Sequence, residues 1–126
     1  VEQIIQIIQN LEEKKSPEEH TSAMVQKAQQ LILQYYDQGI TLEEIAGKLV
    51  VSEEYLSTQF KKETGMTFSE TVRKYRIEKV KKLLLETPFK LNQIAELAGY
   101  SDSKYMSKVF KEEVGMLPSE YRKSLH

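Results

Sequence analysis

The stretch that decides the fold is FSETVRKYRIEKVKKLLLE, residues Phe68–Glu86. Thr67 and Glu70 have the spacing of a capping box at its start, and Thr87-Pro88 follows its last turn. No Pro or Gly interrupts it, so we predict one long helix over residues 68–86. Its apolar residues recur at spacings that make a wide stripe on one helical face: Val72, Tyr75, Ile77, Val80, Leu83 and Leu84.

The same short unit stands on both sides of this helix. Residues 42–70 read LEEIAGKLVVSEEYLSTQFKKETGMTFSE, and residues 91–120 read LNQIAELAGYSDSKYMSKVFKEEVGMLPSE. Matches occur at an offset of 49 at first, and one extra residue in the second copy then raises the offset to 50. Matches at this density indicate an internal repeat of one structural unit.

Each copy has the pattern of a helix, a tight turn and a second helix. In the first copy, Val50-Val51 forms the turn, Ser52 caps the second helix and Gly65 ends it. In the second copy, Gly99 and Gly115 end the two helices. Two helices joined by a turn of three or four residues make a helix-turn-helix motif, and the chain therefore carries two of them.

Residues 22–122 resemble the DNA-binding domain of the AraC/XylS family of bacterial transcription regulators. The linker carries Arg76-Ile77 and Leu83-Leu84 as that family does, and Arg76 is a candidate to bridge the two units. Met106, Val80 and Phe68 depart from the family pattern, each with another apolar residue. The signature is densest in the second copy: Ile94-Ala95, Gly99-Tyr100, Tyr105, Phe110-Lys111, Gly115, Pro118, Tyr121 and Arg122.

The resemblance implies an all-α fold with two three-helix, homeodomain-like helix-turn-helix units joined by a long linker helix. We predict a first unit over residues 21–66, the linker over 67–87 and a second unit over 88–126. Residues 1–20 are predicted to be a connector helix from a missing upstream domain, because Val1–Lys15 carries an amphipathic a/d seam. A helix folded back on this domain, or a frayed tail, is the alternative. The upstream domain would be a sugar-binding cupin or a receiver, and the connector favours the receiver of a two-component response regulator.

Charge is distributed unevenly along the chain. The net charge is −1, but residues 1–60 carry a balance of −6 and residues 61–126 a balance of +5. A basic half points to nucleic acid more strongly than the total does, although a solvated helical surface would show the same asymmetry.

Composition indicates no enzyme, metal site or membrane segment. His20 and His126 have no nucleophile or metal-ligating partner at a recognisable spacing, and there is no Gly-rich phosphate loop. We expect no cofactor. The chain has no cysteine and no apolar run near the roughly 18 residues of a membrane span. These features suit a reducing compartment, and we expect a cytoplasmic location.

The residues expected to meet DNA lie opposite the apolar positions of each recognition helix. Tyr55, Leu56 and Phe60 mark the inner side of the first helix or its border, and Tyr105, Met106, Val109 and Phe110 are inner in the second. The resemblance puts base and phosphate contacts on the outer sides. Candidates for base contacts are Glu53, Glu54, Ser57, Thr58, Ser103, Lys104, Ser107 and Lys108. Candidates for phosphate contacts are Lys61, Lys62, Lys90, Lys111 and Arg122. For any one of them, a solvated helix side chain is the alternative.

These features predict a sequence-specific transcription regulator. A 19-residue linker rises about 28 Å, close to the roughly 34 Å of one DNA turn, so two recognition helices would enter successive major grooves of a bipartite promoter site. RNA polymerase is a further candidate partner. A helical protein-interaction module and a non-specific architectural DNA binder remain as alternatives.

Overall fold

The computed structural model describes residues 21–124, and within that range it contains seven α-helices, one short 3-10 helix and no strand. The predicted all-α class is confirmed. The predicted connector helix over residues 1–20 lies outside the described residues. The helices are α1 (Ala23–Tyr35), which continues into the 3-10 helix Tyr36–Gln38, then α2 (Leu42–Leu49), α3 (Glu53–Thr64), α4 (Phe68–Glu86), α5 (Leu91–Ala98), α6 (Ser103–Val114) and α7 (Pro118–Ser124).

The long helix α4 has the bounds that the sequence predicts, Phe68–Glu86. Its buried positions are Thr71, Val72, Ile77, Val80 and Leu84. The helix ends at Glu86, and the next residue, Thr87, hydrogen-bonds to its last turn. The Thr87 backbone N–H and hydroxyl both donate to the carbonyl of Leu83, at 3.1 and 2.7 Å. Pro88 has no N–H with which to continue the helical pattern.

Chain contacts divide the described residues into two compact units. The first unit holds α1 as far as Gln30, together with Leu42–Phe68. The second holds Leu31–Thr41 and the chain from Ser69 onward. The sequence-based domain boundaries mark helix-turn-helix motifs, whereas these units mark packing, so the boundaries stay a prediction.

The first unit is built around the turn between α2 and α3. Ser52 caps α3 by accepting from the backbone N–H of Tyr55 at 3.0 Å, and Gly65 ends α3 with a φ of 83°. The backbone N–H of Ser22 donates to Oε1 of Glu63 at 2.7 Å, which holds the pKa of Glu63 below its usual value. The buried side chains of this unit are Val25, Ala28, Ile45, Ala46, Leu56 and Phe60.

The second unit has the larger core. Asp102 caps α6 by accepting from the backbone N–H of Tyr105 at 2.7 Å, and Gly99 ends α5 with a φ of 97°. The rings of Phe110 and Tyr121 pack edge to face, 5.4 Å apart. The buried core consists of Ile77, Val80, Leu84, Ile94, Ala95, Ala98, Tyr100, Met106, Val109 and Phe110.

Part of α1 and the 3-10 helix also belong to the second unit. Arg76 donates from Nε to the carbonyl of Tyr36 at 2.9 Å, and its guanidinium lies 5.5 Å from the centre of the Tyr100 ring. Lys79 and Asp37 form an ion pair at 2.6 Å. Burial raises the pKa of Tyr100 to about 12. The predicted first helix-turn-helix unit includes this segment by position, and by packing residues 31–41 group with the second compact unit.

Candidate nucleic-acid interface

The outer face of α3 carries every residue predicted for the first recognition helix. Leu56 and Phe60 are buried, so the opposite side of the helix is turned to solvent. Glu53 and Glu54 lie in the first turn, where carboxylates complement the helix dipole. The exposed candidates on this helix are Glu53, Glu54, Ser57, Thr58, Lys61 and Lys62. Their contacts with DNA stay a prediction.

Four of the candidates in the second unit lie along one groove on the outer face of α6. Lys104, Ser107, Lys108 and Lys111 line it, together with Glu112 and Leu117, and its volume is about 610 Å³. Three of the four predicted residues are lysines spaced along one side of α6, as a surface that follows a phosphate backbone requires. We call this feature the basic groove.

Two other candidates of the second unit do not line the basic groove. Ser103 is half-buried at the first position of α6. Lys90 is exposed at the N-cap of α5, and its backbone N–H donates to Oε1 of Gln93 at 2.9 Å. Their roles toward DNA stay predictions.

The charges of the basic groove are only partly compensated within the protein. Lys108 pairs with Glu112, four residues later, at 3.2 Å. Arg73 of α4 donates to Glu113 at 2.9 Å, and this hydrogen bond raises the pKa of Arg73. Among residues 21–124, Lys104 and Lys111 form no ion pair, so both ammonium groups remain available to an anionic partner.

Tyr105 corrects the predicted inner face of the second recognition helix, because its side chain is 49% exposed. Tyr55, predicted on the inner side or its border, is 53% exposed and lies at the border. Each is the third residue of its recognition helix, close to the cap and at the edge of the core. The ring of Tyr105 packs against that of Tyr100 on one side, 6.0 Å between centres.

Arg122, a predicted phosphate contact, makes three hydrogen bonds within the protein. Its guanidinium donates to the carbonyls of Leu84, Thr87 and Phe89 at 3.0, 3.0 and 2.9 Å. These carbonyls lie at or just beyond the C-terminal end of α4, where the last turn leaves acceptors without helical partners. The planar fork of an arginine suits several fixed acceptors. We therefore leave Arg122 out of the proposed phosphate contacts.

Two other kinds of feature are not found among the described residues. No group of three or more His, Cys, Asp or Glu residues in this part of the chain could hold a metal ion. No helix in the same part is long and apolar enough to cross a membrane.

Residues 45–124, which include both turn-and-recognition-helix pairs, match the helix-turn-helix domain family. The chain belongs to the AraC-type DNA-binding domains of that family. It is similar to an uncharacterised HTH-type transcriptional regulator, YtdP of Bacillus subtilis, at 40% identity over 87 residues, 69% of this chain and 11% of that protein. It is also similar to the Msm operon regulatory protein of Streptococcus mutans, at 31% identity over 118 residues, 94% of this chain and 41% of that protein. The chain thus spans less than half the length of these curated relatives.

A solved structure of the same family supports the fold. The chain resembles the C-terminal domain of AraT, a response regulator from Geobacillus stearothermophilus, with a TM-score of 0.79 and 39% identity, covering 82% of this chain and 86% of that one. The second helices of the two helix-turn-helix motifs are α3 and α6, which are the predicted recognition helices. The predicted fold and the predicted role as a DNA-binding transcription regulator domain are confirmed.

Proposed function

We propose that this AraC-type domain reads a bipartite promoter site by placing α3 and α6 in successive major grooves. The observation that carries the proposal is the basic groove, since Lys104, Lys108 and Lys111 converge on the outer face of α6. The length of α4 agrees with it, because 19 residues of α-helix rise about 28 Å and one DNA turn is about 34 Å. Any shortfall would be met by curvature of the duplex.

Within each recognition helix, we propose that the N-terminal and outward residues read bases. In α3 these are Glu53, Glu54, Ser57 and Thr58, and in α6 they are Ser103, Lys104, Ser107 and Lys108. The half-exposed rings of Tyr55 and Tyr105 border these positions and join the proposed surface. Lys61, Lys62, Lys90 and Lys111 are the proposed phosphate contacts.

The two units would contribute differently to binding. The second offers three lysines along the basic groove, so it would supply most of the electrostatic affinity. The first offers Glu53 and Glu54 at the start of α3. A carboxylate repels phosphate and is accommodated at a base edge by accepting from the N4 amino group of cytosine. The first unit would therefore contribute discrimination more than affinity.

We propose that the full protein is a cytoplasmic response regulator in which a receiver domain precedes this output domain. The similarity to the response regulator AraT supports this, as does the short span of the chain against its curated relatives. RNA polymerase would be its second partner once it is bound to a promoter.

The proposal is tested by salt titration of DNA binding with Lys108→Ala and Lys111→Ala, on specific and random duplexes. A lysine that meets phosphate should, when removed, weaken binding to every sequence and lower the salt slope by about 1. If Lys108 instead meets guanine, its removal should cost about 1–3 kcal/mol on the specific duplex and relax one base position.

A matched control removes an equal charge elsewhere. Lys27→Ala changes an exposed lysine of α1 and should leave affinity and slope nearly unchanged. Unchanged affinities and slopes for both Lys108→Ala and Lys111→Ala would contradict a DNA-facing α6. Equal affinity for specific and scrambled duplexes would favour an architectural binder, and absence of any salt-dependent DNA binding would favour a protein-interaction module.

A further inference from the structure

Leu117 occupies the N-cap of α7, a position at which leucine is disfavoured. It immediately precedes α7, and its carbonyl accepts from the backbone N–H of Tyr121 at 2.9 Å, which makes it the N-cap. Ser, Thr, Asp and Asn are preferred at an N-cap because their side chains accept a backbone hydrogen bond, and Leu ranks among the poorest choices. The first copy of the repeat has Thr67 at this position.

The rest of this helix start is well formed. Oε1 of Glu120 accepts from the backbone N–H of Leu117 at 2.9 Å, which is one half of a capping box. The other half requires an oxygen on the N-cap side chain, and leucine has none. The start of α7 therefore lacks the stabilising hydrogen bond from an N-cap side chain, which the Thr67 hydroxyl can provide at the same place in the first copy.

Burial does not account for the leucine. Its side chain is 37% exposed, and it does not belong to the buried cluster of the second unit or to the partly buried residues packed against that cluster. Instead it lines the basic groove with Lys104, Ser107, Lys108 and Lys111. An apolar side chain thus lies beside three lysines on the surface proposed to face DNA.

We infer that Leu117 is an apolar contact to the sugar-phosphate backbone, packing on a deoxyribose next to the phosphate that Lys111 binds. Base edges are met by the N-terminal residues of a recognition helix, and Leu117 comes after the C-terminal end of α6. It therefore lies at the rim of the basic groove, where contacts with phosphate and sugar set the orientation of the protein. The inference rests on the proposed DNA-facing role of α6.

An apolar backbone contact has a distinct thermodynamic signature. It releases no condensed counterion, so the salt slope does not change when the contact is lost. It also meets a sugar that every nucleotide has, so its loss weakens binding to specific and random duplexes alike. The neighbouring lysines differ, because removing a phosphate contact lowers the slope.

The test is Leu117→Thr, which installs the residue of the first copy. A threonine N-cap should raise the melting temperature by a few degrees. Losing the apolar contact should weaken binding to both duplexes about threefold to tenfold, at an unchanged salt slope. Leu117→Met retains an apolar side chain of similar volume and should keep nearly full affinity. A variant that is more stable yet binds less tightly cannot be explained by misfolding.

Three results would overturn the inference: unchanged affinity of Leu117→Thr, a loss confined to one base pair of the specific site, or a lowered salt slope. Lys111→Ala is measured alongside to separate the two levels of the argument. If Lys111→Ala lowers the slope while Leu117→Thr has no effect, α6 faces DNA and only the role of Leu117 fails. If neither variant has an effect, the proposed DNA face itself fails.

Discussion

Val50 and Gly99 occupy the same place in the two helix-turn-helix turns, and substituting each should change stability in opposite directions. Both adopt a left-handed backbone, with φ of 58° at Val50 and 97° at Gly99. Glycine adopts this conformation at little cost, whereas a β-branched residue there is a genuine outlier. Val50→Gly should therefore stabilise the protein, and Gly99→Ala should destabilise it.

The size of the Val50→Gly effect follows from three contributions. Removing the strain of a non-glycine residue in the left-handed conformation should raise the free energy of unfolding by about 1–2 kcal/mol. The added freedom of glycine in the unfolded chain removes about 0.5–1 kcal/mol of that gain. Little packing is lost, because the Val50 side chain is 87% exposed. The net stabilisation should be about 0.5–1 kcal/mol.

Gly99→Ala meets two obstacles together. A Cβ at this position would lie 2.9 Å from Cα of Asp37 and 3.1 Å from Nε of Arg76. The first neighbour is backbone and cannot move aside as a side chain does. Strain at positive φ and overpacking together should cost about 2–4 kcal/mol.

The assay is urea unfolding followed by circular dichroism, with the midpoint compared at constant m-value. Gly115→Ala is the matched control, because Gly115 has a φ of 94° and nothing within 4 Å of an added Cβ. It measures the backbone strain alone, so the difference from Gly99→Ala measures the contact with Asp37. A Gly99→Ala variant no less stable than Gly115→Ala would refute the close approach. A destabilised Val50→Gly variant would refute the strain argument.

Two further predictions concern individual side chains of the proposed DNA surface. Glu54→Ala should raise affinity for random duplex and blur the base preference of the first half-site, because a carboxylate that repels phosphate is removed; weaker binding to random duplex would contradict this. Arg122→Gln should lower the melting temperature by several degrees, since one neutral amide cannot replace three guanidinium hydrogen bonds, and should leave the salt slope unchanged although a positive charge is removed. A slope lowered by about 1 would instead return Arg122 to the phosphate contacts.

The helix boundaries could be predicted because the signals that set them are local. Ser52, Gly65 and Gly99 act on backbone groups within a few residues of themselves, so their effect is legible in a short window of sequence. The bounds of α4 follow in the same way from the capping pattern at Thr67 and the break at Thr87-Pro88. The repeat then showed that the local pattern occurs twice.

The packing of residues 31–41 could not be predicted, because it depends on pairings distant in sequence. The Asp37–Lys79 ion pair and the Arg76–Tyr36 hydrogen bond join residues about 40 positions apart. The chain contains many lysines that could pair with Asp37, so the sequence does not identify Lys79. Every residue has a backbone carbonyl, so the sequence does not identify Tyr36 as the acceptor for Arg76 either. Arg76 was a candidate to bridge the two predicted helix-turn-helix units, and its partners are Tyr36 of the predicted first unit and Tyr100 of the predicted second.

Tyr55 and Tyr105 are positions whose exposure could not be predicted from helical periodicity. Tyr55 and Tyr105 lie one position before the buried Leu56 and Met106, and periodicity alone does not separate a border residue from a core residue over one turn. An aromatic side chain at the border can cover one ring face and leave the other in water. Tyr105 does this against Tyr100.

Differences between the two copies carry information that their matches do not. Matching positions such as Phe60 and Phe110 are buried in both units, so the fold alone explains them. At some positions one copy has the residue that local structure favours and the other copy does not. The copy with the favoured residue then identifies which residue is better for folding at that position. Gly99 and Thr67 are those preferences, and Val50 and Leu117 are the departures from them. Both departures are exposed apolar residues next to a recognition helix. Leu117 lies in addition on the surface proposed to meet DNA, where a binding contact can select for a residue that folding disfavours.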